Sequence, residues 1–392
     1  MIRKLLFLVL ACGIFIISCT KDITVPKQAS IPVLPTTPYD YVNLRLPNGV
    51  FVVQNSFVIE NGMGNGENIF IDPNTFVNIN NDAATLGRVL FYDKQLSLNN
   101  TISCGSCHHQ DKAFSDGQKL SPGFQGKHTA RNSMSFQNPI AQRNLFWDSR
   151  SFSLADLSLR PIQNHIEMGM EDLNKLAEKL SKVDYYPELF TKAFGSAEIT
   201  PDRISQGITQ FVSSITTADS KFDKAINNGT AQLSSMEAMG MNIFNSNKAK
   251  CASCHAGNNF AAADGPFDPY GGGGDNSGNT NLKGTTNIGL DLVTQDAGRK
   301  EGSFKIPSLR NVELTAPYMH DGRFKTLGEV IDHYSHGVKN NSNLDPKFRD
   351  ANGEVLKLNF TQLEKQALIA FLNTLTDEQM ITDPKYSDPF KN

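Results

Sequence analysis

Apolar positions fall at helical spacing in four short segments that form two matching pairs. Gly87-Arg88-Val89-Leu90-Phe91 and Gly240-Met241-Asn242-Ile243-Phe244 are one pair. Phe211-Val212-Ser213-Ser214-Ile215-Thr216 and Phe371-Leu372-Asn373-Thr374-Leu375-Thr376 are the other. Apolar residues at i, i+3 and i+4 predict a helix in each. Thr361 and Glu364 form a capping box that opens the last helix. In each half, a Gly-x-x-x-Phe helix can cross a Phe-x-x-x-Leu/Ile helix closely, because glycine carries no side chain. The same periodicity predicts helices near Leu173–Leu180 and Leu327–Tyr334. Alternation over 42–60 predicts a strand or two. Gly- and Asn-rich runs at 61–82 and 264–289 predict long loops.

Composition narrows the class. The chain has 392 residues, 39% of them hydrophobic and 20% charged, with a formal charge of −3. There are enough apolar residues for packed cores, which excludes general disorder. A single long apolar run, at the start, excludes a polytopic membrane protein. The near-neutral charge gives no argument for a nucleic-acid partner. Arg3 and Lys4 precede the apolar run Leu5 to Ile17, which ends in Ile16-Ile17-Ser18-Cys19. This is a signal sequence closing on a segment that resembles a bacterial lipobox. Cys19 is then the lipidated first residue of the mature chain, held at a membrane by its lipid alone and placed in the periplasm or cell envelope, with the outer membrane favoured. The alternative is a plain secretory signal with an incidental cysteine. Residues 20–80 read as a tether and N-terminal extension.

Six cysteines are too few to staple a chain of this size. Cys12 lies in the signal sequence and Cys19 is the lipid site. The other four fall in Cys104-Gly105-Ser106-Cys107-His108 and Cys251-Ala252-Ser253-Cys254-His255. Both are C-x-x-C-H, the attachment motif for c-type haem: the thiols add to the vinyl groups and the histidine ligates iron. Chance predicts on the order of 0.002 such motifs at this Cys and His content. A zinc ribbon is the structural alternative, but its pairs lie about 15–20 residues apart, whereas 143 residues lie between Cys107 and Cys251. A thioredoxin-like redox pair requires a βαβ pattern that is not evident. The chain therefore reads as mostly α, with two cytochrome c-like haem domains in tandem, 81–230 and 231–392.

From about Leu86 to Thr376 the chain resembles the bacterial di-haem cytochrome c peroxidases and their relative MauG. The resemblance rests on both C-x-x-C-H sites and on Ala130-Arg131-Asn132, Phe146-Trp147-Asp148-Ser149-Arg150, Pro161-Ile162-Gln163 and Ile166-Glu167-Met168. It extends through Ile306-Pro307-Ser308-Leu309-Arg310-Asn311-Val312 to Ala316-Pro317-Tyr318-Met319-His320-Asp321-Gly322. It implies that the N-terminal haem reacts with peroxide and the C-terminal haem stores or relays an electron. Trp147, the only Trp, matches the tryptophan between the haems. Glu167 matches the distal glutamate, a group placed to move a proton from the inner to the outer peroxide oxygen as base and then acid. Asn132, Thr315 and Pro317 match positions around a calcium ion, whose oxygen ligands suit it. The family is often dimeric.

Three positions depart from the family pattern. Phe124 stands where many members carry a removable distal histidine; His128 is nearby but displaced. The first haem is then expected to be five-coordinate at rest. Leu157 stands in place of a distal glutamine. Tyr334 stands where peroxidases usually have the methionine ligand of the second haem, as in MauG. Methionine is neutral and soft and raises the potential, whereas phenolate is hard, anionic and favours Fe(III). Met319, His333 and His336 are the alternative ligands. His320 is expected to hydrogen-bond near the second haem, while His109 and His165 have no assigned role. The leading expectation is a di-haem peroxidase reducing H2O2 to water with electrons from a small c-type cytochrome or similar donor. The alternatives are a MauG-like oxidase acting on a protein or organic partner, and a non-enzymatic electron-transfer cytochrome.

Overall fold

The computed structural model describes residues 31–50, 79–142, 144–226, 229–262 and 284–391. The signal sequence, Cys12, Cys19 and the start of the tether lie outside these residues, as do 51–60 of the expected strand region and most of both loop runs. Within 42–50 no strand forms. The alternating stretch finds no partner there, and a strand without a ladder leaves its backbone groups unpaired. Among the described residues the strands are β1 (Thr285–Thr286) and β2 (Phe304–Lys305), an antiparallel pair. β1 falls inside the run expected to be loop.

The helices are α1 (Asn81–Tyr92), α2 (Leu154–Gln163), α3 (Leu173–Ser181), α4 (Tyr186–Phe194) and α5 (Pro201–Ser214) in the first half. In the second half they are α6 (Lys221–Ile226), α7 (Ser235–Phe244), α8 (Leu327–Asp332), α9 (Gln362–Asn373) and α10 (Glu378–Thr382). All six expected helices are present. α1 begins inside the expected 61–82 loop because the Asn80 side chain accepts from the Asp82 and Ala83 amides. α5 and α9 end two or three residues earlier than their apolar pattern does. The capping box of α9 is formed by Thr361 and Glu364.

Each half is organised by one crossing of two helices. A Cβ on Gly87 would lie 1.8 Å from the Gly207 carbonyl oxygen, and one on Gly240 would lie 1.9 Å from that of Ala367. Only glycine allows backbones this close. Around the α1–α5 crossing packs a core containing Leu86, Leu90, Phe91, Ile208 and Phe211. Around the α7–α9 crossing packs a second core containing Phe222, Phe244, Phe260, Leu368 and Phe371. The second core thus begins at Phe222. The chain end returns to the first core through Met380, Tyr386 and Phe390. Tyr92 donates its hydroxyl to the Tyr386 carbonyl (2.7 Å) and Tyr386 donates to that of Ser214 (2.6 Å). The N-terminal segment joins them: the Val33 amide donates to the Pro389 carbonyl at 2.8 Å. No described helix is long and apolar enough to cross a membrane.

Gly87→Ala is expected to force α1 off α5 and destabilise the fold by about 3 kcal/mol. Gly328→Ala, whose new Cβ would meet only Thr326 Oγ1 at 3.6 Å, is expected to stay within about 1 kcal/mol of the parent. Denaturant titration of both variants checks the contrast.

Candidate functional site

Both C-x-x-C-H motifs follow the first helix of their crossing and are turned into short 3-10 segments, Cys104–Ser106 and Cys251–Ser253. The two motifs sit against different cores. The four thiols therefore do not assemble into a single zinc site. Burial pushes the thiols of Cys104, Cys107 and Cys251 up to about 12.

The two histidines are held alike. His108 Nδ1 lies 2.7 Å from the Phe114 carbonyl, and His255 Nδ1 lies 3.2 Å from the Phe260 carbonyl and 3.1 Å from that of Pro307. A carbonyl on Nδ1 fixes the N–H there and leaves Nε2 free to ligate a metal. Burial keeps both rings neutral, lowering His108 and taking His255 down to about 4. His108 also stacks on Phe136 at a centroid distance of 4.4 Å. Phe136 and Ser133 were not among the residues singled out by sequence. A phenylalanine a few residues after each motif was the available signal for the carbonyl that holds each histidine.

The second histidine opens on an apolar cavity that Cys251, Cys254, Phe360 and Leu368 line with Tyr334. α8 continues into a π-helical turn, His333–Gly337, which shifts the register of the side chains that follow. Burial, with smaller contributions from Cys254 and Cys251, raises the Tyr334 phenol above its ordinary range. A phenolate therefore needs a cation to pair with. Met319 lines the same cavity. His333 is buried and its Nε2 meets the Ile288 carbonyl at 3.0 Å, while His336 is exposed. His320 lines the cavity and stacks on Phe304 at 3.7 Å.

At the first motif, Glu167 lies in a turn after α2 and not at a helix start. Burial raises its pKa, and Arg150 opposes this. Its charge adds to the upward shift of both Cys104 and Cys107. Asn164 Nδ2 donates to Glu167 Oε1 at 3.1 Å. The buried Phe124 is tied to this turn: its amide donates to the carbonyls of Ile166 (2.8 Å) and Glu167 (3.0 Å). His128 and His165 are exposed, and His109 Nε2 meets the Ser106 carbonyl at 3.1 Å. Leu157 packs against the first core.

Trp147 is bonded to a segment of each half. Its indole N–H donates to the Asn132 carbonyl at 2.9 Å, and its own carbonyl accepts from the Lys305 amide at 2.7 Å. Beside Asn132, the Ser133 hydroxyl donates to the Cys107 carbonyl at 2.6 Å and comes within 3.3 Å of His108 Nδ1. Trp147 itself lines the cavity of His255. Arg131 braces this strip by pairing with Asp148 and Asp296, each at 2.7 Å. Asn132, Thr315 and Pro317 line that same cavity.

The chain is 32% identical over 306 residues to the cytochrome c551 peroxidase of Nitrosomonas europaea, covering 76% of this chain and 81% of that protein. It belongs to the di-haem cytochrome c peroxidase family. Residues 81–231 match the family described as di-haem cytochrome c peroxidase. The methylamine utilization protein MauG of Methylophilus methylotrophus is 30% identical over 305 residues, covering 75% of this chain and 82% of that one. The crystal structure of a MauG-like protein associated with microbial copper homeostasis superposes with a TM-score of 0.69 at 33% identity. That match covers 80% of this chain and 94% of the other. The fold is thus two cytochrome c-like haem domains in tandem, and the protein is a peroxidase-type oxidoreductase with two covalently bound c-type haems. The residues fit those groups: each site offers two cysteines and one neutral imidazole with Nε2 free and, at the second site, an apolar cavity.

Replacing Tyr334 by Met is expected to raise the midpoint potential of the C-terminal haem markedly and leave the N-terminal one in place, because an anionic oxygen gives way to a neutral sulfur. Redox titration reads both; an unchanged C-terminal value would remove Tyr334 from the coordination sphere.

Proposed function

We propose that this chain reduces hydrogen peroxide to water at the Cys104–Cys107–His108 haem, with electrons from a small c-type cytochrome entering at the Cys251–Cys254–His255 haem. Bound haem supplies the redox-active iron at which the O–O bond is broken. The observation that carries the reading is Glu167, whose pKa burial raises, whose charge acts on Cys104 and Cys107, and whose turn is tied to Phe124. As carboxylate it takes the proton from the inner peroxide oxygen; as the neutral acid, favoured by burial, it delivers that proton to the outer oxygen. Phe124 fills the neighbouring space with a side chain that has no metal-binding atom. The site thus stays open to peroxide without prior reduction. Trp147, tied to a backbone segment of each half, lies between the two haems and serves electron passage.

A MauG-like oxidation of a protein or organic partner is the second reading, and Tyr334 in the second cavity favours it. An oxygen ligand there disfavours the ferrous state that a relay from a high-potential donor requires. Calcium held by oxygens of Asn132, Thr315 and Pro317, a homodimer, and a lipid on Cys19 that keeps the protein in the cell envelope, at the outer membrane, complete the proposal.

The first test is peroxide-dependent oxidation of a reduced small cytochrome c by the haem-loaded chain after Cys19, without pre-reduction. Fast turnover is expected, and its absence would move the assignment to the second reading. Glu167→Gln is expected to abolish turnover while both haems stay attached. In the parent, the rate of reaction with peroxide is expected to fall as pH drops through the raised Glu167 pKa, since the base form is consumed there; the variant loses that limb. Stability runs the other way. A carboxyl whose folded-state pKa lies above its unfolded value binds more protons when folded, so its contribution is lost as pH rises through that window. Glu167→Gln is therefore expected to be no less stable than the parent at pH 7, which thermal melts will check.

A further inference from the structure

We propose that Arg310 and Ser308 are positioning residues for His255: they clamp together the two backbone segments whose carbonyls hold its ring. The proposal goes beyond peroxide turnover and rests on that reading only in taking His255 as a haem ligand.

The two carbonyls come from different loops, 258–260 and 307–310. Three successive carbonyls of the first loop are all engaged by the second. Arg310 Nε and Nη2 donate to the Asn258 carbonyl at 2.8 and 2.5 Å. Ser308 Oγ donates to that of Asn259 at 2.5 Å. The Leu309 amide donates to that of Phe260 at 3.1 Å. The Phe260 carbonyl is one of the two that meet His255, and Pro307, next to Ser308, supplies the other. The clamp is built deep. Arg310 is wholly buried, and its charge is matched by two contacts of 2.8 Å to Asp223 in α6. Asp223 also accepts from the Ser220 amide (3.0 Å) and hydroxyl (2.7 Å).

A buried ion pair gives little stability over apolar packing of the same volume. Holding a ligand histidine is a return that apolar residues would not supply. An N–H kept on carbonyl oxygen makes the imidazole a stronger donor, stabilises ferric iron and lowers the potential. His108 is held by other contacts, the Phe114 carbonyl at 2.7 Å and Ser133 Oγ at 3.3 Å. The clamp therefore acts on the second haem alone.

Ser308→Ala removes one tie and strands no charge. Arg310→Met combined with Asp223→Leu removes the ion pair without leaving either charge unmatched. In the haem-loaded full chain, each is expected to shift the reduction equilibrium of the C-terminal haem toward the reduced form by about tenfold, ~59 mV for a one-electron couple. The N-terminal potential is expected to stay fixed, and Ser308→Thr, which keeps the hydroxyl, to stay near the parent value. Both potentials unchanged in Ser308→Ala would overturn the proposal, since a purely structural clamp moves only the melting temperature. Haem content of the parent, from its pyridine haemochrome spectrum, is read separately; fewer than two haems per chain would overturn the haem reading and this proposal with it.

Discussion

The contact on which the rest depends is a backbone oxygen resting on the face of a glycine. At Gly87 over Gly207, and again at Gly240 over Ala367, two helices approach until there is no room for a methyl group. That approach brings rings from the crossing helices together: Phe91 meets Phe211 and Phe244 meets Phe371, each at a centroid distance of 5.3 Å. Aromatic pairs at this range add to the area they bury. Each attachment motif leaves the C-terminal side of a helix fixed in this way. Tyr92, at the end of α1, lies so close to Gly105 that a Cβ there would be 2.3 Å from its ring. The crossing thus sets where each pair of thiols can be.

A second constraint relates the halves to one another. Asn138 Nδ2 donates to the Thr217 carbonyl and to Asn259 Oδ1, both at 3.1 Å. Asp377 Oδ2 accepts from the Thr217 hydroxyl and the amides of Ala218 and Asp219, each at 3.0 Å. Asn311 Nδ2 donates to Gln137 Oε1 at 2.7 Å. Asn138, Thr217, Asp377, Asn311 and Gln137 are all buried. Such a network contributes less net stability than its bond count suggests, but a shifted arrangement would leave buried polar groups without partners, costing roughly 1–3 kcal/mol each. It defines one mutual placement of the two haem sites.

The repeat was legible because it is written in local rules: helical periodicity, a glycine at each crossing, the Thr361 cap and two attachment motifs. What sequence could not supply depends on distant partners. The alternating residues in 42–60 read as strand, yet alternation becomes a strand only beside another edge, and among the described residues 42–50 pair with none. The return of Met380, Tyr386 and Phe390 to the first core follows from hydrogen bonds to α1 and α5, which no local pattern announces. Glu167 was recognisable as a site residue by resemblance. Its setting was not, since the turn carrying it is fixed by Phe124 from a separate loop. Likewise the position of Tyr334 in its cavity depends on a π-helical turn that the apolar spacing of Leu327–Tyr334, itself an ordinary helical pattern, does not foretell. The Asp223 partner of Arg310 lies on a helix far away in sequence.

One scaffold used twice yields two unlike sites because the shared part is proximal and the differing part is distal. Thiols, imidazole and a phenylalanine carbonyl recur in both halves, so attachment chemistry is common to them. The first half adds a carboxyl of raised pKa, Glu167, in a turn tied to Phe124, whose side chain has no metal-binding atom. In the cavity of the second stands a phenol in apolar surroundings, which holds its proton unless a cation replaces it. The halves thus differ in a few side chains beside a shared attachment chemistry, while Trp147 is bonded to one half through its indole and to the other through its carbonyl.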